Sequence, residues 1–293
     1  MTENTPNSSL TESNQSNSSD ISNISNLLKG KNGIIFGLAN DRSIATGIAH
    51  EAFANGANLI LAYNGEILKK RVAPIAEKTN AEMFECDVTN EDNVEAIFAH
   101  ASKKFAGKID FIVHSVAFAN KEELKGKYYD TSKAGFLTAM EISCFSLASI
   151  CKHASKTMQH GGSIITLTYL GAERVVPNYN VMGVAKAALE ASVKYLATDL
   201  GHQGIRINAI SAGPMRTLAS SAIGDFSSVL DFNKNNAPMR RNVEMKDISR
   251  SALFLLSDLS SGVTGDNLHV DCGYHIVGIP DDIKDSGSSN VTK

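Results

Sequence analysis

Gly33-Ile-Ile-Phe-Gly37-Leu-Ala-Asn-Asp-Arg-Ser43-Ile44-Ala-Thr-Gly47 is the stretch whose reading decides the fold. Gly33–Gly37 reads as a buried strand that runs into a tight glycine turn. Ser43 then caps a helix in which Ile44, Ile48 and Ala52 share one face at four-residue spacing. Such a helix start points backbone N–H groups at an anion such as a pyrophosphate. Gly47, one turn in, predicts close contact between helix and sheet. The spacing G-x-G-x-x-G is absent, so taken alone the segment serves equally well as a strand–turn–helix that holds nothing.

Outward from it, short apolar runs alternate with helical patterns. Strands are expected at Asn58–Tyr63, Ala81–Cys86, Phe111–His114, Ser163–Thr168, Ile205–Ser211 and Asn267–Asp271. Helices are expected near Ile67–Lys78, Asp92–Phe105, Ser132–Gln159, Tyr179–Leu200 and Met245–Ser257. Regular alternation of this kind predicts an α/β fold. The expected form is a single-domain, Rossmann-type, doubly wound parallel sheet of about seven strands with helices on both faces. Ligands bind such sheets along the carboxyl edge of the strands.

Composition narrows the class. The chain has 293 residues, 43% of them hydrophobic, enough for a sizeable core. A net charge of −3 argues against a nucleic-acid coat protein, which needs a basic face. Aromatics are only 6% and Trp is absent, whereas glycines number 22, a balance that suits tight strand–helix turns. No uninterrupted apolar run approaches the length of about 20 residues that spans a bilayer. Cys86, Cys144, Cys151 and Cys272 form no C-x-x-C pair, so reduced, buried thiols in a cytoplasmic protein are expected, with no metal site.

Residues 1–28 contain 17 Ser, Asn or Thr and no Lys or Arg. That composition predicts a disordered tail, and neither a signal peptide nor a transit peptide. Residues 281–293 read as a second loose tail. The folded body is placed at 29–280, with a mobile, Gly/Ser-rich loop at 217–236 that orders over substrate.

Three positions at strand ends would meet a dinucleotide in a sheet of this kind. Asn64 follows the second strand, where the adenosine ribose lies. It offers no adjacent cation for a 2′-phosphate, although Lys69, Lys70 and Arg71 lie a turn later. The balance favours NAD over NADP. Asp87-Val88 would hold adenine, and Ser115-Val116 would border the middle of the cofactor. Each position is equally an ordinary loop residue when read by itself.

The richest chemistry lies in Thr168-Tyr169-Leu-Gly-Ala-Glu-Arg-Val-Val-Pro-Asn-Tyr179-Asn-Val-Met-Gly-Val-Ala-Lys186. Tyr179 and Lys186 are seven apart, nearly two helical turns, and so share a face. An ammonium beside a phenol lowers the phenol's pKa and makes it a better hydrogen-bond donor. A solvated Lys two turns from a half-buried Tyr is the plainer reading of the pair alone. Tyr169, closing a strand at the same edge, adds a third group. Downstream, Ile207-Asn-Ala-Ile-Ser-Ala-Gly-Pro214-Met215-Arg-Thr217 supplies a strand end and a Gly-Pro turn that would clamp a carboxamide.

Taken together, these residues resemble the short-chain dehydrogenase/reductase superfamily, and within it the divergent bacterial enoyl-[acyl-carrier-protein] reductases of type II fatty-acid synthesis. The pieces that carry the resemblance are Gly37…Ser43-Ile44, His114-Ser115, Tyr169-Leu-Gly-Ala-Glu-Arg174, Pro177-Asn-Tyr-Asn-Val-Met-Gly183, Lys186 and Ala209-Ile-Ser-Ala-Gly-Pro214. Ordinary ketoreductases of the superfamily carry Tyr-x3-Lys, but here Gly183 stands four residues after Tyr179 and Lys186 seven after it. The resemblance implies an NADH-dependent enzyme that reduces the 2,3 double bond of an enoyl thioester carried by acyl-carrier protein, working as a cytoplasmic homotetramer. It implies Tyr179 as the catalytic tyrosine, Lys186 as the group on the nicotinamide ribose, and Tyr169 as a second tyrosine near the thioester. It implies Gly37, Ser43, Ile44, Asn64, Asp87, Val88, Ser115, Met215 and Thr217 as cofactor contacts, and Ala119 as a substrate contact.

The sequence departs from the family at several places. Asn64 replaces a common Gln, and Ala117 a common Gly. Gly224, Ser227 and Ser228 stand where some relatives have basic residues that meet the carrier protein. Docking is therefore expected to use Lys234, Arg240 or Arg241. Two alternatives remain at this stage: a reductase of a ketone or a small enoyl-CoA, and a dinucleotide-binding regulator without turnover.

Overall fold

The computed structural model describes residues 26–217 and 226–279. The 1–25 part of the Ser/Asn-rich tail, the 218–225 part of the expected loop and the C-terminal tail lie outside the described residues. Strand β1 (Asn32–Phe36) leads into α1 (Ile44–Ala54), β2 (Asn58–Tyr63), α2 (Gly65–Lys78), β3 (Glu82–Glu85), α3 (Glu91–Lys104) and β4 (Phe111–His114). The second half runs through α4 (Lys133–Met140), a π-helical turn (Glu141–Phe145), α5 (Ser146–Thr157), β5 (Gly162–Thr168), α6 (Asn180–Gly201), β6 (Ile205–Ala212), α7 (Phe226–Asn236), α8 (Met245–Leu256) and β7 (Asn267–Val270). The seven strands form one sheet in the order β3-β2-β1-β4-β5-β6-β7, with every pair parallel.

Side-chain alternation along the strands builds a core on each face. Ile35, Leu61, Val113, Ile165 and Ile210 face α1, α2 and α8, packing with Ile48, Ile75 and Ile248. Ile34, Ile60, Ile112, Ile164 and Ile207 face α3, α5 and α6, packing with Phe98, Ile150 and Leu189. Each fully buried Ile or Leu contributes about 1.5–3 kcal/mol relative to exposure. Runs such as Ile34-Ile35-Phe36 are apolar on consecutive positions because both faces of a parallel sheet are covered.

Four expectations are corrected. The body starts earlier than residue 29: Leu28 is fully buried in the first core, so its apolar burial outweighs the polar composition upstream. The expected helix over Ser132–Gln159 is not uniform, because the π turn interrupts it. That same span, Lys133–Thr157, has the length and composition of a membrane helix, which counting uninterrupted runs overlooked; half of its apolar window is buried inside the protein. Finally, the stretch expected as a loop over 217–236 contains helix α7. Leu230, Asn233 and Asn236 are buried on one side of it, a helical period hidden by Ser and Asn.

Candidate active site

Reversal of the strand order between β1 and β4 opens a crevice at their carboxyl ends. Gly37 leaves β1 with φ +91, and a β-carbon there would lie 2.1 Å from the Ser115 carbonyl oxygen. Glycine is thus required both for the backbone angle and for the approach of the two strand exits. Ser43 occupies the N-cap position of α1 but does not cap it. Its hydroxyl donates to the Asn40 carbonyl at 2.7 Å and lies 2.8 Å from Thr46 Oγ1, which also reaches Asn40 O at 2.7 Å. The loop is thereby tied to itself. The Ile44 and Ala45 amides keep no partner among the described residues, and the first turn carries no acidic side chain. A helix N-terminus left in this state suits a pyrophosphate, so the residues present fit a dinucleotide. Gly47 serves a contact other than the expected one. A β-carbon there would meet Met245 Sδ at 2.3 Å, so the glycine lets α1 approach α8, not the sheet.

Asn64 is exposed at the end of β2 and precedes α2. Lys69 is paired with Glu66 at 3.4 Å, which offsets the nearest of the three cations that a 2′-phosphate would need. Asp87 turns back on its own loop: its Oδ1 accepts from the Thr89 amide and hydroxyl at 3.0 and 2.8 Å. Its amide donates to Asn93 Oδ1, a support the sequence did not suggest. Val88 and Ser115 are half-buried, as are Met215 and Thr217 beyond β6.

Tyr179 and Lys186 both turn inward. Tyr179 is 9% exposed and Lys186 5%. Tyr179 stands at the N-cap position of α6, just ahead of the helix in which it was expected. Asn178 and Asn180 on either side have φ +60 and +34, a left-handed backbone that a continuing helix would not have. The Tyr169 and Tyr179 rings meet edge to face, with centroids 5.2 Å apart, and share a cluster with Ala119, Leu124, Val181 and Met182. Lys186 donates to the Leu167 carbonyl at 2.7 Å.

The charge balance differs from the expected one. Burial lowers the Lys186 ammonium to about 8. Burial also raises Tyr179, with Tyr169 and Glu190 adding to the effect; Lys186 is not among its causes. Burial is the largest cause, so Tyr179 is a neutral phenol, a donor, across the ordinary pH range. Tyr169 is pushed up to about 12 for the same reason.

Sequence reasoning passed over several supports. A β-carbon at Gly171 would lie 2.4 Å from Tyr179 Cδ1, and one at Gly183 2.8 Å from the Gly171 carbonyl. Two glycines therefore seat the Tyr179 ring, and a side chain four residues after Tyr179 has no room. The spacing Tyr-x3-Gly was the available signal. The segment after Tyr169 is also strapped from behind. Glu173 binds His269 at 2.7 Å, and Arg174 donates to the carbonyls of His275 and Val277. Of the expected docking cations, Arg241 is paired with Asp247, Arg240 donates to Asn235 O, and Lys234 is exposed.

A parallel sheet of this order, with an inward Tyr and Lys beyond β5, defines a short-chain dehydrogenase/reductase. The family model described as "Enoyl-(Acyl carrier protein) reductase" matches residues 37–275, and the chain belongs to that family. It is 55% identical over 254 residues to "Enoyl-[acyl-carrier-protein] reductase [NADH] 1" of Rhizobium meliloti, covering 86% of this chain and 93% of the relative. Among solved structures, the reductase from Anaplasma phagocytophilum in complex with NAD superposes with a TM-score of 0.84 at 55% identity, covering 88% of this chain and 98% of that one. The Bacillus cereus enzyme, solved with NADP+ and an indole naphthyridinone, gives 0.84 at 52% identity, covering 86% and 99%.

Proposed function

We propose that this chain reduces the 2,3 double bond of trans-2-enoyl-[acyl-carrier-protein] thioesters with NADH, in type II fatty-acid biosynthesis. The observation that carries the reading is the seating of Tyr179. Its neutral phenol lies against Tyr169, and Gly183 packed on the Gly171 carbonyl excludes the lysine that a ketoreductase places four residues on. NADH, when bound, supplies the hydride that adds to the β-carbon of the enoyl thioester. Negative charge then develops on the thioester oxygen, where the Tyr179 hydroxyl donates a hydrogen bond, and the enolate returns to the thioester as the α-carbon takes up a proton from solvent. Tyr169 and Ala119 close the pocket around the acyl chain. Lys186 exchanges its bond to Leu167 O for the hydroxyls of the nicotinamide ribose.

The free Ile44 and Ala45 amides meet the pyrophosphate, with Gly37 and Ser43 shaping the turn. Asp87 keeps Oδ2 for the adenine amino group, beside Val88. Asn64 meets the adenosine ribose, Ser115 the middle of the cofactor, and Met215 and Thr217 the carboxamide. Lys69 held by Glu66 favours NADH over NADPH. The acidic carrier protein meets Lys234 and Arg240. A homotetramer is supported by apolar side chains exposed along α4–α6, among them Leu137, Phe145 and Tyr195 at 54, 62 and 76%. The enzyme is assigned to the cytoplasm.

The test is a spectrophotometric assay with crotonyl and acetoacetyl thioesters, run with NADH and then NADPH. Turnover of the crotonyl thioester with NADH supports the reading. Turnover of acetoacetyl alone, or cofactor binding without turnover of either, overturns it.

A further inference from the structure

Ser143 in the π turn Glu141–Phe145 and Ser146 at the start of α5 reach, respectively, the chain leaving β4 and the last residue of that strand. Ser143 is fully buried. The Phe118 amide donates to Ser143 Oγ at 2.9 Å, and the hydroxyl lies 3.1 Å from the Phe118 carbonyl and 3.7 Å from Met182 Sδ. A hydroxyl has one proton, and a carbonyl is the better acceptor than a thioether. Ser143 therefore holds both backbone groups of Phe118 and touches α6 with its lone pairs. Ser146 gives its proton to the Ile142 carbonyl at 2.7 Å, within its own helix. Its oxygen can then only accept from His114 Nε2, 2.8 Å away. That choice makes Nδ1 the acceptor for the Thr166 hydroxyl at 2.8 Å. Thr166, His114, Ser146 and Ile142 thus form a directed buried chain that pins the end of β4.

The segment Ser115–Ala117 hangs between these anchors, at His114 on one side and Phe118 on the other. Ser115 opens that segment, and Ala119, one residue past Phe118, packs in the Tyr169–Tyr179 cluster. Single-cycle π turns recur at functional sites. We infer that Ser143 is a positioning residue for the acyl pocket, setting the distance between the Ala117–Ala119 wall and Tyr179 through its grip on the Phe118 backbone.

This inference rests on the enoyl reductase reading, and one set of measurements separates the two. Ser143→Ala removes the hydroxyl. Ser143→Cys keeps the side-chain shape with a somewhat larger atom, while offering a weak donor and acceptor. Ser251→Ala, which removes a hydroxyl that bonds within α8 among the described residues, is the control. The expected result is a loss of about tenfold in kcat/KM for the crotonyl thioester in both Ser143 variants, mainly in KM. NADH Kd stays within about twofold, and the control stays at the wild-type level. If Ser143→Ala does not fold, Ser143→Cys decides. The inference is overturned if Ser143→Cys keeps kcat/KM within about twofold of wild type, or if NADH affinity falls by the same factor as kcat/KM. Lack of wild-type turnover would instead sink the reaction itself, and the inference with it.

Discussion

The two walls of the crevice are built in different ways. On the nucleotide wall, the turn after β1 is bonded within six residues, Ser43, Thr46 and Asn40 to one another, with Gly37 also packed on Ser115 and the Ile44 and Ala45 amides without a partner among the described residues. On the acyl wall, Gly171 and Gly183 seat Tyr179 from nearby, and further supports span long stretches of chain. Ser143 reaches back 25 residues to Phe118, His114 reaches forward 52 residues to Thr166, and Arg174 reaches 103 residues to Val277. A locally tied wall is preformed as soon as its own strand and helix fold. A wall tied over long separations takes shape only when the whole domain is assembled, and it is therefore open to disturbance from afar.

The largest expected effect probes the acyl wall at its centre. Tyr179→Phe should lower kcat about 100-fold, the usual cost of removing one oxyanion donor, while NADH Kd moves less than about twofold. A parallel loss of NADH affinity would merge the two walls into one unit. Next, one β-carbon tests each wall separately. Gly37→Ala, pressed on the Ser115 carbonyl, should raise NADH Kd about tenfold by fluorescence titration, equivalent to about 1.4 kcal/mol. Gly171→Ala, pressed on the Tyr179 ring, should lower kcat about tenfold with NADH Kd unchanged, because it shifts the phenol by a fraction of an ångström. Equal effects of the two variants on both constants would erase the distinction.

The smallest effect is a pH dependence. Lys186 is held at about 8 against an ordinary value of 10.5. Between those values the unfolded chain binds the extra proton, so the contribution of Lys186 to stability rises with pH across that window. Below about 8 both states are protonated and the full burial penalty applies. The thermal midpoint of wild type minus that of Lys186→Met should therefore climb by a few degrees from pH 8 to 10. A flat difference would show that the ammonium is not desolvated.

The same contrast explains what could be read in the sequence. Strand positions were legible because both-face burial writes continuous apolar runs, as in Asn58–Tyr63 and Phe111–His114, whose limits match the observed strands. Lys186 lies on the expected helix, but Tyr179 stands at its N-cap between two left-handed asparagines, so helical spacing alone did not describe the pair. The π turn was not legible, since Glu141-Ile-Ser-Cys-Phe145 has nothing that distinguishes it from α-helix, and the Phe118 backbone that Ser143 meets lies 25 residues away in sequence. Helix α7 was masked by Ser and Asn, residues that favour turns until tertiary partners such as Asn242, bonded to the buried Asn233 at 3.0 Å, give them another role. The inverted expectation for Tyr179 has a similar cause: spacing reports which side chains align, whereas the sign of a pKa shift follows from burial.

The contact between positions 171 and 183 also restricts how chemistry on this scaffold can change. Moving the ammonium to the four-residue address would require a long side chain where even a methyl group presses on main chain. No single replacement at 183 can make that exchange; the strap that carries Gly171 must be rebuilt first. Directed evolution toward carbonyl substrates would therefore meet a barrier at its first step, and insertions in the 170–178 segment should precede any useful lysine at 183.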